Sequence, residues 1–285
     1  MVVLADRLTP AQLAGAQPAW STSDQPALAH RHALTATYAG KRPNTLPQVL
    51  SLYGQRTAIF AGPGFLGADR WILDTADHHE QTDGCLAAAT QAAADWRRST
   101  PGPHALILHD RGAPDCPPLA DALGPLAADT VWVVGTGSAG LGTTPAALLP
   151  PEPLPASSPT TLDLLPTLLT AQGATVPSDA RGMDLRSPRP RRAVFFLGDG
   201  QVAIRTDQHR LAATVTAAGL EPAALTSAEG ATLPLSDDAV AALMPALSAW
   251  HTGLSASTAR ERLGQDAFEQ LLQDGGYWEA PDKGD

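Results

Sequence analysis

Apolar and polar positions follow two different rhythms along this chain of 285 residues. Four short, unbroken apolar runs, "VVLA" (2–5), "TAIFAG" (57–62), "ALILH" (105–109) and "TVWVV" (130–134), have the length of buried strands, each followed by a turn or loop. Between them the spacing turns helical. In "TLPQVLSLYG", Thr45 is placed to cap a helix and Gly54 to stop it. "GCLAAATQAAADWRR" (84–98) is rich in alanine and ends in two arginines, where cations suit the helix dipole. "TLDLLPTLLTAQG" starts at Thr161 and ends at Gly173, with Pro166 close enough to the first turn to be tolerated. Strands alternating with helices predict an α/β fold, a mostly parallel central sheet flanked by helices on both faces.

After residue 176 the pattern changes. "PSDARGMDLRSPRPRR" (177–192) is a connection rich in proline and arginine. "AVFFLGDGQVAIRTDQHRLAATV" then sets strand-like runs around a Gly-Asp-Gly turn, which predicts a small antiparallel sheet. Two helix candidates follow, "DDAVAALMPALSAW" and "ASTARERLGQDAFEQLLQDGGYW". The expected organisation is a core over 1–190 and a smaller C-terminal subdomain over 191–285. "ALLPPEPLPASSP" (147–159) reads as a proline-rich loop and nothing more, and no internal repeat is visible.

Composition narrows the function classes. Hydrophobic residues make up 44% and charged residues 17%, as in a soluble globular protein that can bury a full core. A formal net charge of −10 argues against nucleic-acid binding, which needs a basic surface to displace counterions from phosphates. No apolar run is long enough to cross a bilayer, and "MVVLADRL" has neither a basic leader nor a cleavable apolar segment. Cys85 and Cys116 are few and isolated, which reads as incidental thiols in a reducing, cytoplasmic setting.

The glycines of "TVWVVGTGSAGLG" (130–142) pose a separate question, because Gly135, Gly137 and Gly140 are spaced as in a dinucleotide-binding turn. That turn works only when it opens a helix whose N-terminal amides bind the pyrophosphate. Here Pro145, Pro150, Pro151, Pro153 and Pro155 follow and forbid a long helix. No acidic residue closes a second strand at the distance of the ribose contact, so nucleotide binding is a weak alternative.

A different likeness covers most of the chain. "DTVWVVGTGSAGLG" from Asp129 resembles the sulfatase segment that runs Asp-Thr, an apolar strand, then Thr-Ser-Asp-His-Gly. "TLDLLPTLLTAQGATVPSDARGMDL" is similar to the family's helix of the type Asp-apolar-x-Pro-Thr-Leu-Leu followed by Gly, Pro and Gly-x-x-Leu. "TLPQVLSLYGQRTAIFAGPGFLG" resembles the stretch that ends Gly-Lys-Trp-His-Leu-Gly in sulfatases. "VAIRTDQHRL" resembles their C-terminal strand pair, and "LLQDGGYW" their closing segment. The segments with the most specific likeness are 161–185 and 202–211. The resemblance implies the sulfatase and alkaline-phosphatase fold, and with it a calcium site, a formylglycine nucleophile and cationic groups on the sulfate.

Those chemical elements are where the chain departs from the family. Where sulfatases end the first strand with paired metal-binding aspartates, this chain has Asp6 followed by Arg7. One carboxylate beside a cation is a poor calcium site, and the two could simply form a surface ion pair. The region matching the nucleophile, "WSTSDQPALAHRHALTATYAG", has no cysteine. Thr22, with Ser21 and Ser23, is the nearest hydroxyl, in a stretch that reads as a turn or cap without an activating base. Pro63 and Phe65 stand where the family's Lys and His would contact sulfate, and Gly137 and Ser138 where its Asp and His would be. Neither proline nor phenylalanine can carry charge or donate a proton.

Three histidine-bearing stretches remain. His30 and His32 in "HRH" suit a strand edge better than one helical face. Asp77, His78, His79 and Glu80 in "TADHHEQTD" are dense enough for a transition metal, but read as a capping and solvating stretch before a helix. His109 and Asp110 end a strand, where α/β sheets border their ligand crevice, although Asp110 is also an ordinary turn residue. The expectation is a sulfatase-like protein with a degenerate site, non-catalytic, with a scaffolding, regulatory or ligand-binding role and no cofactor. The alternative is an active sulfuric- or phosphoric-ester hydrolase with a calcium site rearranged around Asp6, His109 and Asp110.

Overall fold

The computed structural model describes residues 1–6, 17–23, 25–38, 43–117, 119–122, 132–136, 145–149, 159–187 and 193–254. The four apolar runs become parallel neighbours: β1 (Val2–Asp6), β3 (Arg56–Ala61), β5 (His104–Asp110) and β6 (Trp132–Thr136). With β2 (Gln17–Trp20), β4 (His78–Gln81) and β7 (Pro145–Leu149) they form a sheet of order β2-β7-β6-β1-β5-β3-β4. The five strands from β6 to β4 are parallel, while β7 runs antiparallel to both β6 and β2.

Helices cover both faces. Alternate side chains of a strand point to opposite sides, and the core divides accordingly. Val2, Leu4, Ile59, Ala61 and Ile107 join one apolar cluster, with α1 (Pro26–Thr35), α2 (Leu46–Leu52) and α5 (Leu164–Ala171). Val3, Ala5, Ala58, Phe60, Leu106 and Leu108 join the other, against Leu86, Ala89 and Ala93 of α3 (Leu86–Ser99). The short α4 (Leu119–Ala122) adds Ala122 to that second face.

The second sheet is antiparallel, in the order β12-β11-β10-β9-β8: β8 (Val194–Leu197), β9 (Gln201–Arg205), β10 (His209–Thr216), β11 (Gly219–Ser227) and β12 (Thr232–Leu233). The Gly-Asp-Gly segment turns β8 into β9, with Gly200 at φ +66° and the Gly198 N–H donating to the Gln201 carbonyl at 2.9 Å. A helix over 238–254, labelled α6, packs Val240, Leu243, Met244, Leu247 and Trp250 on one face of this sheet. The other face, with Phe196 and Ala203, meets Trp20 of the first sheet. The two sheets are tied further by the Arg205 guanidinium, 3.8 Å above the Trp20 ring, and by the Tyr38 hydroxyl, which donates to the Phe195 carbonyl at 2.6 Å.

The segment 161–185 shows why its residues form a recognisable signature. Asp163 is fully buried. Its Oδ2 accepts from the Thr160 N–H at 2.8 Å and the Thr160 hydroxyl at 3.0 Å, and its Oδ1 accepts from the Met183 N–H at 2.8 Å. Thr167, one turn on, donates to the Asp163 carbonyl at 2.6 Å and accepts from the Leu185 N–H at 3.0 Å. Gly182 passes so close that a Cβ there would sit 2.0 Å from the Leu162 carbonyl oxygen. The pattern therefore locks α5 to the returning segment 182–185. Its role is architectural.

Several sequence expectations need correction. Cys85 and Cys116 are not thiols: they form a disulfide, their Cα atoms 5.2 Å apart. Their sequence separation of 31 spans α3 and β5, and the Arg111 N–H donating to the Gly84 carbonyl at 2.9 Å brings the loop after β5 back to the start of α3. The thiol argument for a reducing compartment falls with it, since disulfides persist where the surroundings oxidise. Residues 147–149 belong to β7 rather than to a loop. The "HRH" pair lies inside α1, and His78–Gln81 is a sheet-edge strand. The candidate helix near the C-terminus, Arg7, Gly137, Ser138 and Gly140 lie outside the described residues.

Two outcomes follow. Asp163→Ala leaves two buried N–H groups without an acceptor and should cost roughly 3 kcal/mol of folding stability, measurable by urea denaturation. Thiol titration of the unreduced, denatured chain should find no free cysteine, and two after reduction. Reduction should lower stability by roughly 4 kcal/mol, the loop-closure entropy of a ring this size.

Candidate functional site

Strand parity decides which polar groups can meet. On β1, even-numbered side chains face α1, so Asp6 follows Val2 and Leu4 to that side. On β5, odd-numbered side chains face the same way, so His109 follows Ile107. The parallel register sets Leu4 opposite His109 and Ala5 opposite Asp110, which puts the Asp6 and His109 side chains at the same C-terminal edge. Asp110 necessarily points to the opposite face. There its Oδ1 accepts from the Gly112 N–H at 3.1 Å, and burial pushes its carboxyl above the usual range. The adjacent pair in the sequence is thus split between two faces of the sheet.

The third member comes from α1. This helix begins at Pro26, whose missing N–H costs nothing at that position, and ends where Ala36 takes a left-handed conformation and donates to the His32 carbonyl at 2.8 Å. The helix lies against the first face of the sheet and carries His30 into the edge. Its Nε2 lies 3.4 Å from Asp6 Oδ1, and His109 Nε2 is also 3.4 Å from that oxygen. One ligating atom from each of the three residues falls within 4.8 Å of the other two. The His30 side chain is 1% exposed, His109 3% and Asp6 21%, so the cluster is reached from solvent through the carboxylate.

The surroundings are apolar. Phe65, in the turn after β3, sets its ring 4.6 Å from the His109 ring and 5.4 Å from His30, centroid to centroid. The turn itself needs Gly62, where a Cβ would lie 2.4 Å from the Gly84 Cα. The Gly62 N–H donates to His109 Nδ1 at 3.4 Å. His30 is held neutral, its pKa lowered to about 3, first by burial and then by His109, against the pull of Asp6. His30 Nε2 is buried without a hydrogen-bond partner. His30 carries little signal in the sequence: an i, i+2 histidine pair suits a strand edge, and only its place in the helix that follows the nucleophile-like stretch singles it out.

Thr22 occupies a different place. It is 0% exposed, and its hydroxyl lies 2.7 Å from His32 Nδ1 and 2.6 Å from the Thr161 hydroxyl. A base does stand beside it, contrary to expectation, but in a closed polar knot. His32 packs edge-on against Tyr38 at 5.3 Å, and burial, then Arg31, lowers its pKa to about 3. The Thr22 carbonyl accepts from the Leu197 N–H at 3.0 Å, so the knot joins the two sheets.

The remaining sequence candidates are dispersed. Pro63 is exposed, and Phe65 is the apolar wall just described. Asp77 accepts from the Thr57 N–H at 2.8 Å and the Ser51 hydroxyl at 3.0 Å, which fixes β3 to α2, while His78 stacks on Trp96 at 5.9 Å. Among the described residues, Asp6, His30 and His109 are the group of three or more ligating side chains that converge. Calcium prefers a shell of oxygens, and this set offers one carboxylate and two imidazoles. The donors do not fit it.

Comparison of the whole fold with solved structures returns one architecture. A Vibrio parahaemolyticus protein of the alkaline phosphatase superfamily superposes with a TM-score of 0.62 at 12% identity, over 88% of this chain and 85% of that one. The fold is that of the alkaline phosphatase superfamily. BT4656, solved with its substrate D-glucosamine-2-N,6-O-disulfate, gives 0.59 at 11% identity, covering 100% of this chain and 99% of the other. The phosphonate monoester hydrolase of Agrobacterium radiobacter gives 0.59 at 12%, covering 91% and 95%. No protein-family model matches the sequence, and no curated protein matches it. The alkaline-phosphatase-like fold is therefore shared in three dimensions at an identity too low to carry residue roles across.

Two neutral, buried imidazoles have a consequence for stability. Both folded-state values lie near 3, below the ordinary 6.5, so the folded chain takes up these protons later than the unfolded chain does. Their contribution is complete above pH 6.5 and is lost progressively as pH falls from there toward 3. Urea denaturation of metal-free protein should show a loss on the order of 2 kcal/mol per imidazole between pH 7.5 and 5, and His32→Asn should flatten part of that slope.

Proposed function

We propose that the chain is a non-catalytic, ligand-binding protein built on an ester-hydrolase fold. The observation that carries this reading is the state of Thr22. It is the hydroxyl in the nucleophile-like stretch, and it has no exposed surface and is engaged by His32 and Thr161. An attacking group must reach the ester and be freed by a base that then holds its proton, and a hydroxyl sealed between the sheets cannot approach a substrate. The apolar side of the site agrees. Phe65 packs on both histidines where an ester hydrolase needs positive charge on the anionic group. A sequence with Gly137 and Ser138 in place of an Asp-His pair, and Arg7 in place of a second aspartate, points the same way.

The wall of Phe65 and the partly exposed Asp6 carboxylate leave an edge suited to holding a small ligand at the C-terminal ends of β1 and β5, where α/β sheets bind theirs. Assays with 4-nitrophenyl sulfate, 4-nitrophenyl phosphate and bis(4-nitrophenyl) phosphate, each with added calcium, manganese or zinc, should give no turnover above the protein-free rate. Turnover that disappears in Asp6→Asn would overturn the proposal in favour of a rearranged hydrolase.

A further inference from the structure

We infer that Asp6, His30 and His109 form a binding site for one divalent transition-metal ion of the zinc class. This goes beyond the binding role proposed above and does not depend on the absence of turnover. It also departs from the calcium that the sulfatase likeness implies.

The geometry comes first. Three side chains from three separate elements, the ends of β1 and β5 and the second turn of α1, bring ligating atoms to within 4.8 Å of one another. Two atoms that bind the same zinc ion, each about 2 Å from it in a tetrahedral arrangement, lie roughly 3.3 Å apart. The His30 and His109 separations from Asp6 Oδ1, 3.4 Å each, already have that value. They are longer than a good hydrogen bond and too short for indifferent neighbours.

An unmet polar atom is the second observation. His30 Nε2 is fully buried, is aimed at Asp6, and has no hydrogen-bond partner. Leaving such an atom unsatisfied costs stability, a cost that a ligated ion removes. The donor set then selects the ion. Two imidazoles and one carboxylate match zinc, iron(II) or cobalt(II) and disfavour calcium and magnesium, which prefer oxygen. Phe65 on the histidine rings excludes water from that side, while Asp6 keeps the outer position open to solvent or to a ligand.

Ligation requires one proton shift on His109. His109 Nδ1 accepts from the Gly62 N–H at 3.4 Å, which leaves the ring proton on Nε2, facing Asp6. To ligate through Nε2, the ring moves that proton to Nδ1 and gives up the Gly62 contact, which is already at the outer limit of a hydrogen bond.

The test uses the full-length, untagged chain, stripped with a chelator and checked for native circular dichroism. Zinc affinity is measured by competition with a chromophoric chelator, cobalt(II) by its visible absorption, and calcium by calorimetry. Expected are one zinc per chain, a cobalt band of tetrahedral intensity, and calcium binding at least about 100-fold weaker than zinc. Asp6→Asn and His109→Gln should each weaken zinc at least about 10-fold, while the double variant His78→Asn, His79→Asn at the sheet edge should bind as the parent does. Asp6 is the key substitution, because its partly exposed side chain can be changed without opening the core.

Absence of stoichiometric zinc in the folded chain would overturn the inference, as would undiminished affinity in Asp6→Asn and His109→Gln, or preference for calcium. Zinc bound with no ester turnover supports both readings. Zinc bound with turnover removes only the non-catalytic one, and no zinc with no turnover removes only this one.

Discussion

The parallel register between β1 and β5 is the constraint on which the site depends. With Leu4 opposite His109, the strand period of two sends Asp6 and His109 to the face covered by α1 and sends Asp110 to the face covered by α3. A shift of one residue in either strand would exchange these faces and break both apolar clusters at once, since Val3, Ala5, Leu106 and Leu108 would then face the wrong helices. The hydrophobic cores on the two sides of the sheet thereby hold the polar cluster in place. No hydrogen bond within the cluster has to do so.

The same division of labour separates what was legible in the sequence from what was not. Buried strands of a parallel sheet are continuous apolar runs, so β1, β3, β5 and β6 stood out, and Thr45, which accepts from the Gln48 N–H, and Gly54, at φ +80°, marked α2 as expected. The β8, β9 and β10 strands were visible around their glycine turn. β7 was not, because prolines at 145, 150 and 151 read as a loop, yet a strand beginning with proline loses nothing where its N–H is not needed. The disulfide was invisible for another reason. Its partners are 31 residues apart, and only the chain's return from β5 to the start of α3 brings them together.

The site was half legible. Asp6 and His109 could be found as polar residues ending apolar strands, but their pairing required the register, and His30 required knowing that "HRH" sits inside a helix. Two residues apart on a helix are about 200° apart around its axis. That is why His30 reaches Asp6 while His32 reaches Thr22. On a strand the two side chains would share one face, so the arrangement turns on whether the segment is helical, which the pair itself does not say. What decides it is Pro26 at the helix start and the packing of Ala33 and Leu34 in the apolar cluster with β1, β3 and β5.

The sulfatase likeness was strongest in the segment around Asp163, and the structure gives that a physical meaning. Asp163 caps a helix, holds a distant N–H and, with Gly182, lets two backbone segments pass in contact. A buried carboxylate with several donors is costly to replace, because any substitute leaves them unmet. The polar knot of Thr22, His32 and Thr161 is held in a similar way, since its two hydroxyls and the His32 Nδ1 pair with one another between two sheets. Groups of this kind stay fixed whether or not the chain does chemistry. Residues that touch only a substrate are under no such restraint. The likeness therefore tracks the frame that holds β1, α1 and β5 in place, and the chemistry at their ends has to be read from Asp6, His30 and His109 themselves.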